Sequence, residues 1–155
     1  METVAQRTQR RRGSPVFLDT AYVYALLYTR DRWHAAARAW EQRLAVGRRR
    51  LLTTEFVLAE IADGLAALRF RTHAVQAIDT LRSSPLVEVV PASSVLFAAA
   101  LERFRARSDK DWGLSDCASF VVMEAHDLSE ALTTDDHFVQ AGYRALLLED
   151  VRDAP

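Results

Sequence analysis

Four carboxylates in this chain stand where a fold would place them for chemistry. Asp19 follows the short apolar run Val16-Phe17-Leu18, and Asp135 follows Ala131-Leu132-Thr133, so each closes a buried strand and opens a helix. Asp116 falls in the first turn of an apolar helix for which Ser115 is a natural N-cap. Free backbone N–H groups and the positive end of the helix dipole there keep a carboxylate ionised. Glu60 lies four residues after Phe56 and four before Gly64, along the edge of its helix's apolar stripe. Gathered in one crevice, four such acids repel one another unless cations neutralise them. An all-oxygen shell selects hard divalent ions, Mg2+ or Mn2+.

Each acid taken alone also has an ordinary structural reading. Asp19 suffices as a helix cap, as does Asp135 or its neighbour Asp136; Asp116 suffices as a capping-turn acid, and Glu60 as the half-exposed partner of an arginine. Only their joint arrangement separates the two readings. Asp63, Asp109 and Asp111 are expected to face solvent, with Asp111 near enough to Asp116 in sequence to serve as a peripheral ligand. His34, His73, His126 and His137 lack the mutual spacing of a zinc site, and Cys117 has no evident activating base. Trp33, Trp40 and the cluster Tyr22, Tyr24 and Tyr28 read as core or subunit interface. Trp112, in a charged loop beside Asp116, is the aromatic best placed to stack on a nucleic-acid base.

The elements that position these residues alternate along the chain. Short strands are expected at 16–18, 51–53, 86–90, 131–133 and 143–148. Helices are expected at 21–28, at 33–46 with Asp31 as cap, from Glu55 to about Phe70, and from Thr72 to Ser83. Three more follow: 95–107 capped by Ser93 or Ser94, 116–126, and 137–141. Apolar strands alternating with helices imply an α/β domain whose parallel sheet is covered on both faces. Ligands bind such sheets beyond the carboxyl ends of the strands, where the strand order reverses. A chain of 155 residues, half of them hydrophobic, suits one domain with one core.

The net charge of −1 conceals an uneven distribution, because Arg7, Arg10, Arg11 and Arg12 oppose only Glu2 in the first twelve residues. Residues 1–14 therefore read as a flexible basic arm. Lys110 is the only lysine, and arginine grips phosphate with a planar fork that lysine lacks. The single Cys117 excludes an internal disulfide and fits a reducing compartment. Asp19 breaks the apolar run 16–28, no secretory cleavage pattern follows, and no stretch reaches the length of a membrane span. The expected location is the cytoplasm.

The segments VFLDTAYVYAL at 16–26, TTEFVLAE at 53–60, WGLSDCASFVVM at 112–123 and ALTTDDHFVQAGY at 131–143 together resemble a PIN-domain ribonuclease, most closely the VapC-like toxins of type II toxin–antitoxin pairs. The likeness runs from about Pro15 to Leu148. It leaves outside the basic arm, a departure from family members that start almost at the first strand, and a tail at 149–155. It implies a three-layer α/β/α fold with a five-stranded parallel sheet and an acidic site that hydrolyses RNA phosphodiesters with Mg2+ or Mn2+. Carried over by position, Asp19, Glu60, Asp116 and Asp135 are the metal-binding and catalytic acids; Asp135 is preferred to Asp136 because it keeps the Thr-x-Asp spacing from Thr133. Thr20, Ser115, Thr134 and His137 match polar positions around them, where Thr20, Ser115 and Thr134 would orient water or phosphate oxygens. The arginines at 48–50, at 69 and 71, or at 103–107 are candidates for a phosphate track. The likeness also implies an RNA substrate, a cognate antitoxin protein and a homodimer. The alternatives are a housekeeping RNA-processing nuclease of the same fold, or an α/β module that binds a metal or partner without catalysis. A receiver-type phosphorylation domain is disfavoured, since it wants an acidic pair after the first strand and a lysine after the fifth.

Overall fold

The computed structural model describes residues 13–153, so the basic segment 1–12 lies outside the described residues. Five parallel strands, β1 (Val16–Leu18), β2 (Leu51–Thr54), β3 (Val87–Val90), β4 (Glu130–Leu132) and β5 (Arg144–Ala145), form one sheet in the order β3-β2-β1-β4-β5. The crossovers carry seven helices: α1 (Thr20–Leu27), α2 (His34–Val46), α3 (Glu55–Gly64), α4 (Leu68–Ser83), α5 (Ser94–Ala106), α6 (Leu114–Ala125) and α7 (Asp136–Gln140). The chain steps from β1 to β2 to β3 in one direction, then returns past β1 to β4 and β5. Right-handed crossovers consequently put α1 to α4 on one face and α5 to α7 on the other. The strand order reverses between β1 and β4, whose register pairs Leu18 with Leu132. Asp19 and Thr133 thus emerge side by side at the switch point.

The central strands are buried because both sheet faces are covered. Phe17 lies 6.0 Å from Phe138 of α7, which meets Phe120 of α6 edge-on at 5.0 Å. These aromatic rings fill the space behind the carboxyl ends of β1 and β4 and fix the helix starts on which the acids stand.

Several elements differ from the sequence expectation for identifiable reasons. The helix expected to run to Phe70 stops at Gly64, and a separate helix starts at Leu68. A Cβ at Gly64 would fall 1.7 Å from the Tyr24 hydroxyl, so α1 packs directly on bare backbone where α3 ends. Leu65 turns into the core while Leu68, which continued the apolar spacing, is exposed. Gly113 caps α6 in place of Ser115. Asp31 accepts a hydrogen bond from the Trp33 backbone at 2.7 Å, one turn ahead of α2, whose own cap residue is Trp33. After α2, Gly47 keeps right-handed helical backbone at φ −75°, and the left-handed residue is Arg48 at φ 46°. The fifth strand keeps only two residues, because Trp40 Nε1 donates to the Leu146 carbonyl at 2.9 Å and the chain tightens into a 3-10 turn at Leu146–Leu148.

Candidate active site

A cavity of about 500 Å³ opens beyond the carboxyl ends of β1 and β4, lined by Asp19, Thr20, Tyr24, Glu60, Asp63, Asp116 and Asp135 with Ala21. All four acids singled out in the sequence reach it. Asp19 leaves β1 with its carboxylate buried, and it makes no capping bond to α1. The Thr133 hydroxyl donates to Asp19 Oδ2 at 2.7 Å and accepts from the Asp135 backbone N–H at 2.9 Å. One threonine therefore ties together the acids that follow the two central strands. Thr134, the expected contributor, makes no side-chain hydrogen bond among the described residues.

Asp116 and Asp135 each combine a cap with a place on the cavity wall. Asp116 Oδ2 accepts from the Gly113 backbone at 2.9 Å, and Asp135 Oδ1 accepts from the His137 backbone at 2.8 Å. Their structural and functional readings coexist, since a carboxylate has a second oxygen to offer. Asp136 turns away and accepts from Gln140 at 3.1 Å. Glu60 reaches the cavity from α3; the Thr20 hydroxyl donates to its Oε2 at 3.1 Å, and the Tyr24 hydroxyl donates to its backbone carbonyl at 2.9 Å.

The electrostatics are those of an uncompensated anionic pocket. Burial pushes the Asp19 carboxyl up to about 7, hydrogen bonds from Thr133 and the Thr20 backbone oppose that shift, and the Glu60 and Asp116 charges add to it. Glu60 is raised as well, first by burial and then by Asp116 and Asp135, while the hydroxyls of Thr20 and Ser115 favour its ionised form. No Lys or Arg lines the cavity among the described residues. A buried carboxylate, Asp19, beside the half-buried Glu60, Asp116 and Asp135 is costly to ionise, and a divalent cation with hard oxygen donors removes that cost. The donor set fits such an ion. Asp116 and Asp135 each bring an oxygen within 4.8 Å of the other and of a His137 ring nitrogen, so two carboxylates already stand close enough to share one ion.

His137 occupies a different place from the acids. Its Nδ1 lies 3.1 Å from Asp116 Oδ2 and 3.4 Å from Asp135 Oδ1, yet the residue does not line the cavity. It braces the two acids from behind, on the same oxygens that the helix starts hold. Thr133, Tyr24 and Asp63 were not anticipated as part of the site, although the Thr-x-Asp spacing pointed at Thr133.

The stacking role expected of Trp112 fails, and two other expectations are narrowed. Trp112 is 5% exposed, donates to Gln140, and packs edge-on against Phe120 at 4.9 Å under the Arg107 guanidinium, so it is an anchor and no stacking platform. Asp111 and Asp63 are exposed, as expected of both, but it is Asp63 and not Asp111 that lines the cavity. Most of the expected phosphate track is already paired with acids, as in Arg49 with Glu130, Arg50 with Glu88, Arg103 with Glu124 and Arg107 with Asp109. A second cavity of about 530 Å³, between α1, α2 and α4, is walled mainly by apolar side chains such as Leu26, Leu44 and Leu81 and gathers no acids into a cluster.

Comparison with known proteins agrees with this architecture. Residues 16–142 match the family model described as the PIN domain. Among solved structures, the chain is similar to Mycobacterium tuberculosis VapC20, a toxin described as cleaving the sarcin-ricin loop, with 26% identity and a TM-score of 0.72 over 84% of this chain and 97% of that one. No curated protein sequence matches. The family match spans most of the chain, including both central strands and all four acids, and the chain belongs to the PIN-domain family.

Proposed function

We propose that this protein is a metal-dependent endoribonuclease that acts as the toxin of a toxin–antitoxin pair. The observation that carries the reading is the convergence of Asp19, Glu60, Asp116 and Asp135 on one cavity at the switch point of a PIN fold. The likeness to VapC20, described as a sarcin-ricin loop cleaving toxin, together with the PIN-domain match, supports RNA as the substrate class and toxin as the role. Asp19, Asp116 and Asp135 would hold the cation, with Glu60 binding it directly or through water. When bound, Mg2+ or Mn2+ supplies the Lewis acidity that acidifies water and offsets charge on phosphoryl oxygens.

The protein's own groups do the remainder. Asp19, raised to about 7 by burial, would have to be ionised to hold a cation, so cleavage should strengthen as pH rises through the neutral range. Thr133 holds Asp19 and Asp135 at a fixed separation, and His137 does the same for Asp116 and Asp135. Thr20 and Ser115 orient Glu60 and are positioned to direct a water or a phosphate oxygen. No side chain needs to act as a covalent nucleophile.

A cognate antitoxin protein, a homodimeric toxin and a cytoplasmic location complete the proposal. No helix among the described residues is long and apolar enough to cross a membrane. Residues 15–148 make up the nuclease domain, with 1–14 as a basic arm able to add phosphate contacts and 149–155 as a tail. The test is cleavage of structured RNAs, the sarcin-ricin loop included, by wild type and Asp116→Asn with Mg2+, with Mn2+ and with chelator. Wild type is expected to cut only with metal and the variant not at all. Absence of cleavage together with absence of metal binding at millimolar concentration would reduce the acids to helix caps and favour a binding module.

A further inference from the structure

An acid-lined cavity repels a polyanion, so an RNA strand needs cations and stacking surfaces close by to stay there. The arginines divide sharply in this respect. Arg50, Arg103, Arg105 and Arg107 each pair with a carboxylate. Arg30, Arg69 and Arg71 are exposed and form no ion pair among the described residues: Arg69 lies 4.6 Å over the Phe70 ring, and Arg71 donates to the Ala66 carbonyl at 3.0 Å. These three cations sit on the chain segments after α1 and at the start of α4.

The same segments carry a run of aromatic rings that begins in the cavity. Tyr24 lines the acidic wall, and Tyr28 follows 6.4 Å away, one turn further along α1. Phe70 meets Tyr28 edge-on at 5.8 Å, under the Arg69 guanidinium. Tyr28 is 36% exposed, so part of the run is open to solvent. The nearest acids on these segments are Asp31, whose carboxylate is engaged by the Trp33 backbone, and Asp63, on the cavity rim.

We propose that Tyr28 and Phe70, with Arg30, Arg69 and Arg71, form the track on which a single-stranded stretch of RNA lies as it leaves the acidic cavity. This rests on the nuclease reading above and assigns its substrate path. Stacking on rings tolerates any base, and cations along one side of the run hold the backbone, so the track supplies affinity without sequence choice.

The test uses the full chain with chelator present, a fluorescein-labelled oligouridine as probe, and fluorescence anisotropy across a salt series. Arg69→Gln with Arg71→Gln should weaken binding tenfold or more and flatten the salt dependence by about 1.4 in log–log slope, the value for two lost phosphate contacts on a single strand. Tyr28→Ala should weaken binding about tenfold and leave the slope unchanged. With Mg2+ or Mn2+ present, both changes should raise KM and spare kcat. Arg38→Gln with Arg152→Gln removes two charges elsewhere and should change nothing. If wild type cuts RNA while the Arg69/Arg71 and Tyr28 variants match the Arg38/Arg152 control, the track is overturned and the nuclease reading stands. Altered sedimentation mass with unaltered RNA binding would make this surface a protein interface and likewise overturn it. If wild type neither binds nor cuts RNA, both readings fall together.

Discussion

The two ends of the sheet solve the same problem in opposite ways. At the amino end, Glu130 of β4 is 4% exposed and is gripped by Arg49 and Arg144, both at 2.5 Å, with Arg144 also pairing with Glu149. At the carboxyl end, Asp19 is equally buried but has only hydroxyl and backbone donors, and its acidic neighbours make it harder to ionise. A carboxylate neutralised by fixed arginines has nothing left to bind. One left without a cation retains an affinity for a partner that arrives from solution, at a cost to the stability of the empty fold.

Neutralising the acid at each end should therefore have opposite consequences. The largest effect expected is in activity: Asp19→Asn should lower RNA cleavage by about a thousandfold or more while raising the melting temperature of the metal-free protein at pH 8, which paired cleavage assays and calorimetry would check. A fall in both would mean that the ionised carboxylate stabilises the fold. At the amino end, replacing Arg49 and Arg144 together with Ala should cost about 3–5 kcal/mol in urea unfolding, because Glu130 is left charged and buried. The same pair of changes should leave metal affinity intact.

The pH dependence sharpens the contrast. Asp19 has a folded value of about 7, above its unfolded value near 3.8, so the folded state binds the extra proton between them. Its contribution is fully present below about pH 4 and is lost as pH rises through 7, by at most about 4 kcal/mol. Denaturant titrations of metal-free wild type and Asp19→Asn should converge near pH 4 and separate by pH 8, and excess divalent ion should close the gap for wild type. Smaller effects belong to the supporting groups. Gly64→Ala pushes a methyl group into the Tyr24 hydroxyl and should cost about 1–3 kcal/mol by overpacking, with weaker metal binding as Glu60 shifts. His137→Ala should weaken metal binding about tenfold in calorimetric titration, and wild-type affinity in that variant would remove His137 from the support of the site.

Much of this was written locally in the chain. Strand–acid–helix order placed Asp19 and Asp135 at strand ends because buried apolar runs, carboxylate caps and helix starts are short-range signals. The parallel sheet followed from that alternation, and the gathering of the four acids from their positions on it. Which groups surround the acids was decided only by tertiary contact. Spacing to Asp135 singles out Thr133 without saying what its hydroxyl holds, and pairing of Leu18 with Leu132 brings it, not Thr134, onto Asp19. Gly64 breaks a helix that periodicity alone would continue, because Tyr24 arrives from another element forty residues earlier. The arginines read alike along the chain, yet Arg49, Arg50, Arg103 and Arg107 find acids on other segments or neighbouring turns, and Arg69 and Arg71 find none among the described residues. Local chemistry specifies where a carboxylate stands; whether it or an arginine remains unneutralised depends on long-range packing, and that remaining charge is what a metal or a phosphate binds.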